Sequence, residues 1–138
     1  MISDFVSTLQ LCCHLVDKEL TRSHGYSESN YQSALLYFLN QKLDKEFTIS
    51  REVNVPYLLK CGYAFGSGRA DIICENSEEK ICYILELKCA DQRVWKRWFG
   101  QLSRYVMHHK TEYQKVGMIV LFNCNTDPIV KLHRPNPF

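Results

Sequence analysis

The sequence predicts a single α/β domain with a mixed central sheet flanked by helices. Three observations predict it. Residues 2–20, 27–42 and 92–109 carry helical periodicity, while residues 47–88 carry two-residue alternation and short apolar runs. The last apolar run, 116–122, is reached only through a helix, and that connection suits a strand buried inside a mixed sheet.

Residues 2–20 place Ile2, Phe5, Val6, Leu9, Cys13, Val16 and Leu20 at helical spacing, an amphipathic helix whose role is packing. A break follows at 21–25. A second helix begins at the N-cap residue Ser27 and runs to about Lys42. Its stripe is Glu28, Tyr31, Leu35, Phe38 and Leu39, so an acid shares the apolar face. A Glu in the first turn is also favoured by the helix dipole, and capping alone is enough to place it.

From Phe47 the period changes to two: Phe47, Ile49, Arg51, Val53 and Val55 alternate with polar neighbours in a strand expected to end before Pro56. Residues 57–65 offer a further strand, with Gly62, Gly66 and Gly68 as turns. Two isoleucine-rich segments, 70–74 and 81–87, then flank the polar run Asn76-Ser77-Glu78-Glu79-Lys80 and read as a hairpin. Ile84, Glu86 and Lys88 share one face of its second strand, with Leu85 and Leu87 on the other. If Asn76 and Ile81 close a four-residue loop, Asp71 falls opposite Glu86. Facing carboxylates with Cβ atoms about 4.5–5.5 Å apart repel, and a divalent cation between them would relieve the repulsion. A Glu-x-Lys pair at a strand end is equally consistent with a solvated ion pair.

The third helix, 92–109, presents Trp95, Trp98, Leu102, Tyr105 and Val106 on one face, with Gln101 inside it. A buried amide needs partners, so Gln101 and Tyr105, one turn apart, either hold something polar or satisfy core neighbours. Trp95 and Trp98 fit the core better than base stacking, because they share the apolar face. Residues 116–122 form a strand buried on both faces, and 123–138 read as a polar, proline-closed tail.

At 138 residues, 46% hydrophobic and 23% charged, the chain is long enough for a core of its own, and its composition excludes disordered and collagen-like classes. Seven cysteines, with Cys12, Cys13, Cys74 and Cys82 inside apolar runs, suggest reduced core thiols of a cytosolic or nuclear protein. There is no CxxC, so zinc is not expected. No apolar stretch approaches a membrane span. The net charge of +2 does not announce a nucleic-acid partner, but residues 93–110 hold five Lys or Arg and no acid.

Gly25-Tyr26-Ser27-Glu28-Ser29-Asn30-Tyr31 fits a GxxExxY signature letter for letter. Glu52-Val53-Asn54-Val55-Pro56, Gly66-Ser67-Gly68-Arg69-Ala70-Asp71, Glu86-Leu87-Lys88 and Gln101-x-x-x-Tyr105 follow in order. By these motifs the chain resembles the GxxExxY family of the PD-(D/E)XK nuclease superfamily. The resemblance implies a restriction-endonuclease-like αβββαβ core. It implies Asp71 and Glu86 as metal ligands with the Leu87 carbonyl, Glu28 completing the shell, and Lys88 as the catalytic lysine. Gln101 and Tyr105 match a motif that helps position the substrate backbone. Ala70 stands where a proline is usual, and the segment between Lys88 and Gln101 is longer than typical.

The expected function is hydrolysis of phosphodiesters, most simply in DNA, with Mg²⁺ or alternatively Mn²⁺ as cofactor. Arg93, Lys96, Arg97 and Arg104 would grip backbone phosphates. The alternatives are a catalytically silent module that binds nucleic acid and a domain that docks a protein partner. A homodimer would suit a nuclease that cuts both strands, although no residue specifies one.

Overall fold

The computed structural model describes residues 2–20, 25–90, 95–122 and 126–133. In chain order they form α1 (Ile2–Glu19), α2 (Glu28–Lys42), β1 (Phe47–Leu58), β2 (Ala64–Asn76), β3 (Ile81–Cys89), α3 (Trp95–His108), β4 (Gln114–Phe122) and β5 (Ile129–Leu132). The five strands lie side by side in sequence order. Only β3 and β4 pair in parallel, because α3 carries the chain back between them; the other neighbours are antiparallel.

Each face of this mixed sheet has its own core. On one, α1 and α2 contribute Phe5, Leu9, Tyr31, Leu35 and Leu39 against Ile72, Tyr83, Leu85, Leu87 and Met118. On the other, Trp98, Leu102 and Tyr105 of α3 cover Ala70, Ile73, Ile84, Ile119 and Leu121. The alternation expected within β3 and β4 is therefore realised, and β4 is buried on both faces from Val116 to Phe122. Cys12, Cys13, Cys74 and Cys82 are buried free thiols.

The β2–β3 hairpin has the expected loop. Asn76 pairs with Ile81, and the Asn76 Oδ1 accepts the N–H groups of Glu78 and Glu79 at 3.0 and 2.9 Å, stabilising the turn.

Three elements differ from the sequence expectation. Strand β1 continues through Pro56 to Leu58; β1 is an edge strand, where a missing N–H costs no ladder bond. Residues 57–65 form no strand of their own: Tyr57 and Leu58 end β1, Ala64 and Phe65 begin β2, and Gly62, at a φ of 93°, lies in the turn between them. Gly66 and Gly68 are interior residues of β2 that pair with Tyr57 and Val55. The tail contains a fifth strand, β5, antiparallel to β4 and too short for its pattern to stand out. The residues before Trp95 at the start of the third helix lie outside those described. No helix among the described residues is long and apolar enough to cross a membrane.

Close packing of α3 onto β4 depends on Gly117. A Cβ there would lie 2.8 Å from Val106 Cγ2 and 3.1 Å from Leu102 Cγ. Gly117→Ala is expected to cost about 1–3 kcal/mol through overpacking, read as a lower midpoint in urea unfolding with an unchanged slope.

Candidate active site

The site begins with an irregularity shared by β1 and β2. Phe47 and Ile49, with Ile72 and Cys74, belong to the core under α1 and α2. Val53, Val55 and Tyr57, with Ala70, belong to the core under α3. Residues of one parity normally stay on one face, so both strands rotate at the point between these groups. That point is Glu52 and Asp71, which drop out of the ladder, with Glu52 at a φ of 50°. Asp71 is thereby freed from regular pairing at the middle of a sheet.

Its surroundings hold it firmly. The ladder of β2 on β3 ends at Ile72 against Leu85, one residue short of Asp71 and Glu86, whose carboxyls lie within hydrogen-bonding reach of each other. Asp71 Oδ2 accepts the Leu87 N–H at 2.6 Å, so a side chain replaces a backbone acceptor. From α2, Gln32 Nε2 donates to the Asp71 carbonyl at 3.0 Å, and Arg51 Nη2 donates to Gln32 Oε1 at 3.0 Å. Neither Gln32 nor Arg51 was expected here. The available signal was position: Gln32 stands one helical turn after Glu28, and it is buried.

Glu28 arrives from the first turn of α2. Ser27 caps the helix through a reciprocal bond with Asn30, so capping does not need Glu28. Instead, Glu28 Oε2 accepts the Cys89 N–H at 3.2 Å, at the end of β3. Of the remaining signature residues, Gly25 supplies a left-handed φ of 73°, and Tyr31 is a core residue whose ring lies 4.9 Å from that of Phe122.

Glu28, Asp71 and Glu86 thus converge. Glu86 is only 2% exposed. Burial first, then the hydrogen bond and charge of Asp71, push its carboxyl well above the usual range, opposed in part by Lys88. Glu28 is raised by desolvation and then by Asp71, with the Cys89 N–H and Lys88 acting in the other direction. A buried acid within hydrogen-bonding reach of a second carboxyl, beside a third, calls for a proton or a cation. The all-oxygen donor set fits a hard divalent ion.

Lys88 follows Glu86 on the same face. Its Nζ donates to Gln101 Oε1 at 3.0 Å, and Gln101 Nε2 donates to the Tyr105 hydroxyl at 3.0 Å. Tyr105 in turn accepts from the Arg69 backbone N–H. The polar group that Gln101 and Tyr105 hold is therefore the lysine. Gly68 makes room for this arrangement, since a Cβ there would overlap both the Tyr57 hydroxyl and the Tyr105 ring.

Lys88, Arg97, Trp98, Gln101 and Arg104 line one cavity of about 340 Å³. Arg97 and Arg104 therefore stand beside the lysine. Lys96 is exposed on α3 and does not line this cavity, and Arg93 lies outside the described residues. Trp98 is core, and Trp95 packs edge-on against it at 5.2 Å beneath the Lys131 ammonium.

Two predictions follow from this geometry. Gln32→Ala strips the Asp71 carbonyl and Arg51 of a buried partner, and is expected to lower stability by about 1–3 kcal/mol in urea unfolding. Because Glu86 is raised in the folded state, its favourable contribution is present below the ordinary carboxyl pKa and is lost as pH rises through the raised value. Chelator-treated protein should therefore melt lower as pH rises above the ordinary carboxyl range. Mg²⁺ or Mn²⁺ should restore the melting temperature by an amount that grows with pH; a pH-independent effect of the cation would count against the reading.

A family model for the PD-(D/E)XK nuclease superfamily matches residues 3–133. No curated protein matches. Eight chains of solved structure do. Among them, the crystal structure of SSO0001 gives a TM-score of 0.52 at 17% identity over 92% of this chain, a likeness of fold alone, and this chain spans 62% of that one. With its family match running over nearly all its length and a mixed sheet that brings Asp71 within hydrogen-bonding reach of Glu86, the chain belongs to the PD-(D/E)XK nuclease superfamily.

Proposed function

We propose that the protein is a metal-dependent nuclease of GxxExxY type that hydrolyses phosphodiester bonds, with DNA as its substrate and Mg²⁺ or Mn²⁺ as its cofactor. The observation that carries this reading is the convergence of Glu28, Asp71 and Glu86 beside Lys88, at the edge of a cavity lined by two arginines. Asp71 and Glu86 would hold the cation, with the Leu87 carbonyl and Glu28 completing its shell. When bound, the cation would acidify a water and offset charge on the phosphate.

The chain's own residues supply the rest. Lys88, held as the ammonium by Gln101 and Tyr105, orients the attacking water and neutralises the phosphoryl oxygens. The Gln101 carbonyl oxygen fixes the direction of the ammonium while leaving its other protons for substrate. Arg97 and Arg104 bind the neighbouring phosphates, which positions the backbone without reading sequence. Lys96, exposed on the same helix, adds long-range attraction, and Arg93 completes the basic segment. The reduced core thiols fit an intracellular site of action.

The test is incubation with linear and circular, single- and double-stranded DNA, and with RNA, in Mg²⁺ or Mn²⁺. Wild-type protein should cleave DNA. Lys88→Ala should lose about 10²-fold or more in rate while keeping its fold and its metal-dependent rise in melting temperature. Retained cleavage in that variant would remove Lys88 from the mechanism. Binding in EDTA without cleavage in either metal would favour a silent nucleic-acid-binding module.

A further inference from the structure

At the other end of the β2–β3 hairpin, a second set of ligand-bearing side chains meets. Glu75 of β2 pairs directly with Cys82 of β3, and Cys82 pairs with Lys115 of β4. This row lies on the face covered by α3. His109, immediately beyond the end of α3, is the third member: a carboxylate oxygen of Glu75, Cys82 Sγ and an imidazole nitrogen of His109 all lie within 4.8 Å of one another. We infer that Glu75, Cys82 and His109 form a site for a borderline-soft divalent cation, of which Zn²⁺ is the best match.

The chemistry of the donors supports that ion. Thiolate, imidazole and carboxylate are the groups that bind Zn²⁺, and three protein ligands leave a fourth tetrahedral position for water. Bond lengths of about 2.1–2.3 Å put tetrahedral ligand atoms about 3.5 Å apart, so side-chain adjustments of about an ångström complete the site. A Mg²⁺ ion would find only one oxygen ligand here, which separates this site from the three acids around Asp71.

The surroundings also fit. The Lys115 charge acts on both Cys82 and His109, and favours the Cys82 thiolate that a cation needs; its Nζ donates to the His109 carbonyl at 3.0 Å and to the Met107 carbonyl at 3.4 Å, at the negative end of α3. His109 and Lys115 line a groove of about 770 Å³, which gives an ion a route in. Glu75 and His109 are half-buried and Cys82 is buried, so the thiol is screened from oxidants while the other two ligands reach solvent. On binding, Cys82 releases its proton to bulk water. The ion would tie the end of α3, the helix that carries Gln101 and Tyr105, to the hairpin that carries Asp71 and Glu86.

Full-length protein, stripped with a chelator and kept under a phosphine reductant, should be titrated with Co²⁺ and then Zn²⁺. One equivalent of Co²⁺ should produce a thiolate-to-cobalt charge-transfer band that Zn²⁺ displaces. The band should disappear in Cys82→Ser and persist in Asp71→Asn. His109→Ala, at a half-buried position, should keep the fold and lose about tenfold or more in Co²⁺ affinity. No thiolate band at saturating Co²⁺, a band retained in Cys82→Ser, or unchanged affinity in His109→Ala would each overturn the proposal.

Discussion

Two carboxyl groups face each other across the middle of a sheet, and the rest of the site answers that conflict. Asp71 and Glu86 lie just past the end of the β2–β3 ladder, with their carboxyls within hydrogen-bonding reach, where like charges repel. The structure manages this by surrounding Asp71 with donors: its carboxyl accepts the Leu87 N–H and its carbonyl accepts the Gln32 amide. Burial, then the hydrogen bond and charge of Asp71, push the Glu86 carboxyl up and disfavour its charged form. Arrangements of this kind are costly as pure structure and are common where a cation or a proton has work to do.

The geometry that permits the conflict is a backbone device. A regular antiparallel pair would have fixed Asp71 by ladder bonds and by strict alternation. The rotation at Glu52 and Asp71 switches the apolar residues of both strands from one core to the other, which lets a single pair of strands serve both layers. Glu52 adopts a positive φ to make this turn, a local strain held by the pairing on either side. Asp71 thus sits where the two cores exchange.

Around this centre the helices act as two clamps. On one side α2 brings Glu28 and Gln32, one turn apart, to the end of β3 and to Asp71. On the other, α3 brings Gln101 to Lys88, and Tyr105 settles into the space left by Gly68. The same helix exposes Arg97 and Arg104 to the cavity that Lys88 enters. An error in packing α3 would displace Gln101, the partner of Lys88, together with Arg97 and Arg104, so the close approach at Gly117 bears on this arrangement as well as on stability.

By itself the sequence determined the periodicities, and with them the element types, the two-sided burial of β4 and the four-residue loop that sets the register of β2 on β3. These are legible because they depend on neighbours in the chain, on a period of two or of 3.6 and on a short turn. Glu28, Lys88, Gln101 and Tyr105 were legible as candidates from their motifs, but their partners were not. That Gln101 holds Lys88, that Gln32 and Arg51 brace Asp71, and that Glu75, Cys82 and His109 meet are consequences of strands and helices brought together from distant parts of the chain. The path of β1 through Pro56 and the presence of β5 likewise depend on which strand lies at an edge and which finds a neighbour. Only the tertiary structure decided these, because a hydrogen-bond partner or a ligand atom is selected by distance in space, and local pattern carries no record of it.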